Sequence, residues 1–450
     1  MNAPSRGTNG GSRRVAMTLA GITTIGILLA GCSARVGTDT ATDGATEGAT
    51  SDLTADCLQY EPTTGITDDS IKVGTSLPIT GPLATAGTSR FGTQAYFDYV
   101  NDNGGIDGRT IDFVVRDDAY DPSKTTTNVN ELVNDEKVFA MVSLLGTANV
   151  LAVQQDLQDN CIPNLLVQTG APVVSTPEQT WTVPQFPTYT LEAEALAAAA
   201  EASGVKTVSI ISQNDDFGKA YVEGLTGALE GTDITVTKQL TYDVGAPSID
   251  SQITQLADDG ADAVLVAALG TKCPQIFNGI NASGWTPQLL AGTLCTTKGL
   301  LTLLEPGAGA NMISTAWYKS PSDPAWTDDE GMQTYRDAIA KYTPEADPNE
   351  DFVLDGWLLG QVFVDILESS DTLDRAGVME AARNADLHVD TMLDGIQFVT
   401  NADTFEPIDS VQLQRYDADG KSMVFIDPET AEDLPSGETM LTSGIAGSGE

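Results

Sequence analysis

Small residues, most of them threonine or glycine, follow three of the strands predicted in the N-terminal half of the chain. They are Thr80, Gly146, Thr147, Ala148, Thr169, Gly170 and Ala171. Hydroxyl groups and backbone N–H groups in such loops can hold a carboxylate without a buried cation. We therefore predict that these three loops form the polar part of a small-molecule binding site.

The elements that would position these loops alternate regularly along the chain. The predicted strands and helices, in chain order, are 71–77, 89–103, 110–116, 123–135, 139–144, 150–158 and 164–167. Continuous apolar strands separated by amphipathic helices are typical of a parallel sheet covered on both faces. Ligands of such sheets bind at the carboxyl ends of the strands, which is where the three loops lie.

The same alternation starts again after residue 190, which predicts a second lobe rather than one large sheet. Its predicted helices and strands are 191–203, 207–212, 217–229, 234–242, 249–258, 261–267 and 274–282. Between the two arrays, segment 181–187 combines prolines with aromatic residues, which favours an extended hinge over a helix. The predicted fold class is therefore α/β, with two doubly wound, Rossmann-like parallel-sheet lobes.

Two further residues are candidates for contact with a ligand between the lobes. Asp216 follows the first strand of the second lobe, where it could face a cleft or complement the dipole of the helix that starts there. Phe352 opens a predicted helix at 351–368, and the apolar periodicity of that helix favours a place in the core.

The residue inventory gives catalysis little support. The chain has one histidine, His388, so a Ser-His-Asp or Cys-His enzyme would depend on that residue. No G-x-S-x-G, H-E-x-x-H or Walker A motif occurs in the sequence. We predict a protein that is not an enzyme, with no catalytic residue, no metal site and no cofactor.

The charge balance is strongly acidic, with 64 acidic and 22 basic side chains and a formal net charge of −42. Such a surface repels phosphate backbones and anionic lipid headgroups. We therefore predict that the protein does not bind nucleic acid.

The N-terminal segment has the parts of a bacterial export signal. A pair of arginines precedes an apolar run at 15–30, which ends in Leu-Ala-Gly-Cys at 29–32. The run is shorter than the roughly 20 residues of a spanning helix. We predict that residues 1–31 are a lipoprotein signal peptide and that acylated Cys32 anchors the chain to the outer face of the cytoplasmic membrane. Because the arginines partly resemble a twin-arginine signal, the export route stays open.

Four cysteines remain when Cys32 is set aside, an even number in a chain predicted to be exported. Three pairings are possible. The favoured one joins Cys57 to Cys161 and Cys273 to Cys295, since the second pair closes a short local loop. A structural zinc site is the weaker alternative, because no C-x-x-C spacing occurs.

Two segments lack the large apolar residues that a folded core needs. Residues 32–65 are predicted to be a flexible tether between anchor and domain, and residues 427–450 an acidic flexible tail.

Several motifs together resemble a known family. They lie at 71–74, 80–82, 100–109, 117–122 and 214–219. In order and spacing they are similar to the type I periplasmic binding proteins, in the leucine/isoleucine/valine-binding branch. The resemblance covers roughly residues 65–416.

The resemblance implies two lobes, joined by three crossovers, that close over a small solute and deliver it to an ABC transporter permease. It implies that lobe 1 comprises residues 66–184 and 316–394, and that lobe 2 comprises 185–315 and the C-terminal strands at 395–426. A receptor of the same fold that presents the solute to a signalling partner is the alternative function.

The resemblance also implies roles for site residues. Thr147 and Ala148 correspond to the carboxylate site of lobe 1, with residues 169–171 beside them, and Phe352 to an aromatic contact. Amino-acid binders of the family place an acidic residue for the ligand ammonium at about 293–295, and no carboxylate occurs there. The implied ligand is a small amino acid or a related organic carboxylate or amide.

Overall fold

A computed structural model describes residues 53–401 and 406–426 of the chain. The predicted signal peptide, Cys32, most of the predicted tether and the predicted tail lie outside these described residues. Helices and strands are numbered below in chain order.

Lobe 1 is built on a five-stranded sheet whose neighbouring strands are all parallel. The strands are β1 (Ser70–Leu77), β2 (Thr110–Asp117), β3 (Ala140–Val142), β4 (Asn164–Val167) and β5 (Thr182–Pro184), in the spatial order β2-β1-β3-β4-β5. The helices that connect them are α1 (Ser89–Asp102), α2 (Pro122–Asn134) and α3 (Thr147–Asp159). Most of the β1, β3 and β4 residues are buried, as expected for a sheet covered on both faces.

Lobe 2 is built on a seven-stranded, mostly parallel sheet. Its strands are β6 (Thr207–Gln213), β7 (Thr235–Tyr242), β8 (Ala263–Ala267), β9 (Gln288–Ala291), β10 (Met312–Ala316), β13 (Gln412–Asp417) and β14 (Ser422–Phe425). The spatial order is β14-β13-β10-β9-β8-β6-β7, and the last two strands in sequence are antiparallel to their neighbours. The helices in this part of the chain are α4 (Tyr189–Ala202), α5 (Asp216–Ala228), α6 (Asp250–Asp259), α7 (Lys272–Ser283) and α8 (Lys298–Leu301).

After β10 the chain packs against lobe 1 again. The next helices are α9 (Glu330–Tyr342), α10 (Asp351–Ser369) and α11 (Arg375–Ala382). Both α9 and α10 pack on α1. The helices α1 and α10 approach so closely that a Cβ atom on Gly92 would overlap the carbonyl oxygen of Val353, and one on Gly356 would overlap that of Ser89. Glycine at both positions is what permits this contact.

Two expectations from the sequence need correction. Residues 396–399 were expected to finish the lobe 2 sheet, but the strand Phe398–Val399 (β12) pairs with Asp386–Leu387 (β11) in a separate two-stranded sheet. The strand itself was predicted, but its partner β11 has only two residues, too few to be recognised from sequence.

The predicted tether also ends earlier than residue 65. The N–H of Leu58 donates to the carbonyl of Asp159 over 2.8 Å, and the indole of Trp181 donates to the carbonyl of Leu53 over 3.3 Å. Residues 53–65 therefore pack on lobe 1, where they cover the buried Trp181.

Two disulfide bonds join Cys57 to Cys161 and Cys273 to Cys295. The first ties the N-terminal described segment to the loop that follows α3. The second links the first turn of α7 to the loop after β9, inside lobe 2. In the described residues, no helix combines the length and the apolar character that crossing a membrane requires.

Candidate functional site

A largely apolar cavity lies where the carboxyl ends of the two sheets face each other. Its lining residues come from loops that follow strands of both lobes and from the start of α10. They are Leu83, Thr85, Ala86, Tyr120, Leu145, Gly146, Thr147, Gln168, Phe186, Tyr189, Phe217, Leu269, Gly270, Leu294, Leu300 and Phe352. Of the predicted site residues, the structure brings Gly146, Thr147 and Phe352 to this cavity.

Thr147 lies at the start of α3, directly against the cavity. Gly146 caps the helix with a left-handed φ of 99°, and the ring of Tyr120 packs so closely on it that a Cβ atom there would lie 2.5 Å from the ring. The hydroxyl groups of Thr147 and Thr169 share a hydrogen bond of 2.8 Å. The first N–H groups of any α-helix have no acceptor within it, so this turn presents donors to the cavity.

Tyr189 occupies the space in front of the predicted residues 169–171. Its N–H donates to the carbonyl of Gly170 over 2.7 Å, and a Cβ atom on Gly170 would lie 2.9 Å from its ring. Burial raises the pKa of Tyr189, while hydrogen bonds from Thr169 and the Gly170 N–H to its phenol oppose that rise. Thr169, Gly170 and Ala171 are not among the lining residues. Thr169 and Gly170 instead contact Tyr189, which does line the cavity.

Thr80 lies outside the cavity and is exposed. Its hydroxyl donates to the carboxylate of Asp117 over 2.6 Å, and the N–H groups of Ile79, Thr80 and Ala119 donate to the same side chain. Partial burial raises the pKa of Asp117, but these hydrogen bonds lower it more. Thr80 thus ties the loop after β1 to the loop after β2 and does not face the cavity.

Asp216 and Ala148 also lie outside the lining. Asp216 is exposed in the first turn of α5, and the neighbouring Asp215 caps that helix by accepting from the N–H of Gly218. The next residue, Phe217, faces the cavity instead. The acidic side chains of this segment therefore stabilise the start of α5 and do not face the cavity.

A strained loop presents Tyr120 to the cavity. Ala119 and Tyr120 have φ values of 51° and 63°, in the left-handed region that side-chain-bearing residues rarely adopt. Asp118 holds this conformation by accepting from the N–H of Tyr120 over 2.8 Å and from the hydroxyls of Ser76 and Thr125. Burial raises the pKa of Asp118, against the effect of these hydrogen bonds.

The described residues that line the cavity include no Lys, Arg, His, Asp or Glu. A carboxylate does lie behind the loop at 293–295, where the sequence has no acidic residue. It belongs to Glu192 of α4, which accepts from the N–H and hydroxyl of Thr293 and from the hydroxyl of Thr315, all within 3.0 Å. Burial raises its pKa. Glu192 supports this loop and does not line the cavity.

Sequence reasoning missed several functional candidates that the structure assembles. Tyr120 lies within a motif that the sequence singled out at 117–122, and Phe217 within the one at 214–219, but neither had been assigned a role. Gln168 and Tyr189 carry no motif of their own. Their proximity to the cavity depends on neighbours from other elements, such as Ser143 and Gly170.

Comparison with known proteins gives consistent results. Residues 70–421 match the sequence profile of the periplasmic binding protein family. The chain is 21% identical over 358 residues to Leu/Ile/Val-binding protein homolog 3 of Brucella melitensis, covering 78% of this chain and 92% of that protein. It is 22% identical over 323 residues to the leucine-, isoleucine-, valine-, threonine-, and alanine-binding protein of Pseudomonas aeruginosa, covering 70% and 82% of the two chains.

A solved structure shares the fold. It is that of a possible leucine/isoleucine/valine-binding protein from Rhodopirellula baltica, with a TM-score of 0.72 and 20% sequence identity. The match covers 83% of this chain and all of the other. The relatives are binding proteins and not enzymes.

Proposed function

Because the chain belongs to the periplasmic binding protein family, we propose that it is the solute-binding lipoprotein of an ABC importer. The observation that supports this proposal is the cavity between the two lobes, which combines an apolar, aromatic lining with a helix N-terminus. Such a combination is typical of small-molecule sites in α/β proteins. The partners are the solute and the permease to which the closed protein delivers it.

The proposed ligand is a small organic solute with an apolar body. The sequence is compatible with three classes of ligand: an amino acid, another carboxylate and an amide. A ligand ammonium would meet no carboxylate in the lining, and a buried ammonium without a partner costs several kcal/mol. The lining therefore favours a ligand without an ammonium group.

We propose that acylated Cys32 tethers the protein outside the cytoplasmic membrane. The sequence at 29–32 supports this part of the proposal. The chain beyond the tether is fastened to lobe 1 by the disulfide between Cys57 and Cys161. Lobe closure would bend the chain where it passes between the sheets, near Gln185, Tyr318 and Thr400, close to the boundaries predicted from sequence.

A thermal-shift screen tests this function. The chain with Cys32→Ser, which cannot be acylated, is melted with a panel of amino acids, organic acids, amides and alcohols. A solute that binds the folded but not the unfolded protein raises the melting temperature of the protein, and the rise grows with the logarithm of the solute concentration. At least one member of the panel should do so; a flat response across the panel would contradict solute binding.

A further inference from the structure

We propose that the cavity recognises the uncharged carboxamide group of a small solute with an apolar body, through Gln168 and the first turn of α3. This inference rests on the proposed function, because it names the class of solute for the same cavity. A carboxamide carries two N–H donors and one carbonyl acceptor on a planar group. Gln168 and the first turn of α3, the polar wall of the cavity, offer an acceptor for the N–H groups and donors for the carbonyl oxygen.

The acceptor on this wall is the side-chain oxygen of Gln168. The amide nitrogen of Gln168 lies 3.4 Å from the carbonyl oxygen of Ser143 and 3.3 Å from the hydroxyl of Ser89. Because a carbonyl oxygen only accepts hydrogen bonds, it fixes which end of the Gln168 amide is nitrogen. The oxygen Oε1 is buried and has no hydrogen-bond partner among the described residues, although Gln168 is only 2% exposed.

A ligand that donates to Gln168 Oε1 removes the free-energy cost of this unpaired acceptor. A carboxylate cannot donate, and its oxygens would lie against the lone pairs of Oε1. A buried acceptor beside a binding cavity therefore selects for an N–H or O–H group on the ligand.

The donors on the same wall come from α3. The hydroxyl of Thr147 is already hydrogen-bonded to that of Thr169 and to the phenol of Tyr189. The N–H groups of the first helical turn lie next to Gln168, because β3 and β4 are neighbours and the N–H of Gly146 donates to the carbonyl of Gln168 over 3.2 Å. The helix dipole adds to their preference for an acceptor. They match the carbonyl oxygen of a carboxamide whose nitrogen faces Gln168.

The lining also argues against an ionised head group. A carboxylate would bring a full negative charge into a cavity without a cationic side chain among its described lining residues. Further donors at the end of β4, Thr169 and the N–H of Gly170, are already directed at the phenol of Tyr189. The remaining polar groups are Gln168 Oε1 and the N–H groups of the first turn of α3, which suit a neutral head group that both donates and accepts. The phenol of Tyr120, which also lines the cavity and has no partner among the described residues, can do either.

Apolar side chains form the rest of the cavity. Phe217, Leu269 and Leu294 from lobe 2 face Leu83 and Phe352 across it. This wall can bury an aliphatic or aromatic body but offers no charged partner to a second polar group. The solute class is thus an alkyl or aryl primary amide.

Matched compounds that share one body and differ in head group test the inference. One set is isovaleramide, isovalerate and leucine; the other is phenylacetamide, phenylacetate and phenylalanine. The melting temperature of the Cys32→Ser chain should rise with an amide more than with the acid or amino acid of its set. The methyl ester of the same acid keeps the carbonyl, lacks the donor and should shift it less than the amide.

A protein variant provides the second arm. Gln168→Leu removes the acceptor and should weaken the best amide by about fivefold, the scale of one hydrogen bond, while the ester binds equally to both proteins. Gln155→Leu, on the exposed face of α3, is the matched control. Because the ester comparison uses the unmodified cavity, it remains decisive if Gln168→Leu does not fold.

The results of these binding experiments distinguish a failure of the amide inference from a failure of the proposed function. Preferred binding of an amide supports the inference, and preferred binding of an alcohol from the wider panel overturns it. Preferred binding of the acids, the amino acids or the ester overturns it and leaves solute binding intact. The absence of any binding in the wider panel overturns the proposed function, and the inference with it.

Discussion

The carboxylate of Asp351 accepts a hydrogen bond from the backbone N–H of Lys298 over 2.7 Å. Asp351 begins α10, which packs on lobe 1, whereas Lys298 begins α8, which follows the lobe 2 strand β9. The hydroxyl of Ser320 donates to the other oxygen of Asp351 over 3.1 Å. Burial raises the pKa of Asp351 to about 6, against the effect of these two hydrogen bonds. The contact therefore joins the two lobes next to the cavity residue Phe352.

Removal of this contact should weaken solute binding. Asp351→Ala leaves the Lys298 N–H without its acceptor and destabilises the arrangement in which the lobes enclose the cavity. We expect the dissociation constant to rise about fivefold to tenfold in calorimetric titrations. Asp337→Ala, at an exposed position of α9, should leave the constant unchanged. Equal constants for the two variants would show that the contact does not support closure.

Asp355 should make stability depend on pH. The Gln185 amide donates to one oxygen of Asp355 over 2.9 Å, the other oxygen has no partner among the described residues, and burial raises the pKa to about 8. An unfolded aspartate has a pKa of about 3.9. Between these values the folded state binds more protons than the unfolded state, so this group's contribution to stability falls as pH rises.

Asp355→Asn should remove that dependence, because its side-chain oxygen still accepts from Gln185 and never ionises. We expect the variant to exceed the wild type by at least about 2 kcal/mol in the free energy of unfolding at pH 8. Urea titrations at pH 4, 6 and 8 measure the difference, which should shrink towards pH 4. A difference independent of pH would be inconsistent with an elevated pKa.

Thr80 should matter for stability and not for affinity. Thr80→Val removes its hydrogen bond to Asp117, and we expect a loss of about 0.5–1 kcal/mol in the free energy of unfolding. The dissociation constant of a bound solute should change less than twofold, since Thr80 does not line the cavity. Thr147→Val is the comparison, and it should weaken the solute about fivefold. A larger effect on affinity at Thr80 than at Thr147 would place the site elsewhere.

The disulfide between Cys57 and Cys161 should hold the N-terminal described segment on lobe 1. We expect Cys57→Ser with Cys161→Ser to lower the free energy of unfolding by about 2–4 kcal/mol. Amide hydrogen exchange at residues 53–61 should accelerate more than in the rest of the chain. The pair Cys273→Ser with Cys295→Ser, inside lobe 2, is the control and should leave exchange at 53–61 slow. Unchanged exchange in both double variants would mean that packing alone holds the segment.

The strands and the loops after them could be predicted because buried parallel strands are continuous apolar runs. Thr147 was predicted for that reason, because a glycine and a hydroxyl residue follow the apolar run at 139–144, and the structure places it in the cavity lining. Phe352 required the family resemblance, because its helix is apolar on every side and its periodicity indicates only burial.

The rest of the site depends on contacts between distant elements. Tyr189 follows an edge strand of three residues, and only the pairing of β5 with β4 brings it over Gly170. The orientation of the Gln168 amide, which leaves its oxygen free, is set by the carbonyl oxygen of Ser143, 25 residues away at the end of the neighbouring strand. No local pattern encodes either relationship, so Tyr189 and Gln168 could not be predicted from the sequence as parts of the cavity.

The dissociation constant of a solute, measured by calorimetry on the wild type and on Ala86→Trp, tests the central claim most directly. Ala86 is buried in the cavity wall, so a tryptophan there fills the space that a solute would occupy. Ala282→Trp, at an exposed position of α7, is the control. Solute binding in this cavity predicts that Ala86→Trp abolishes the heat of binding while folding and the control remain normal. Undiminished affinity in a folded Ala86→Trp protein would contradict it.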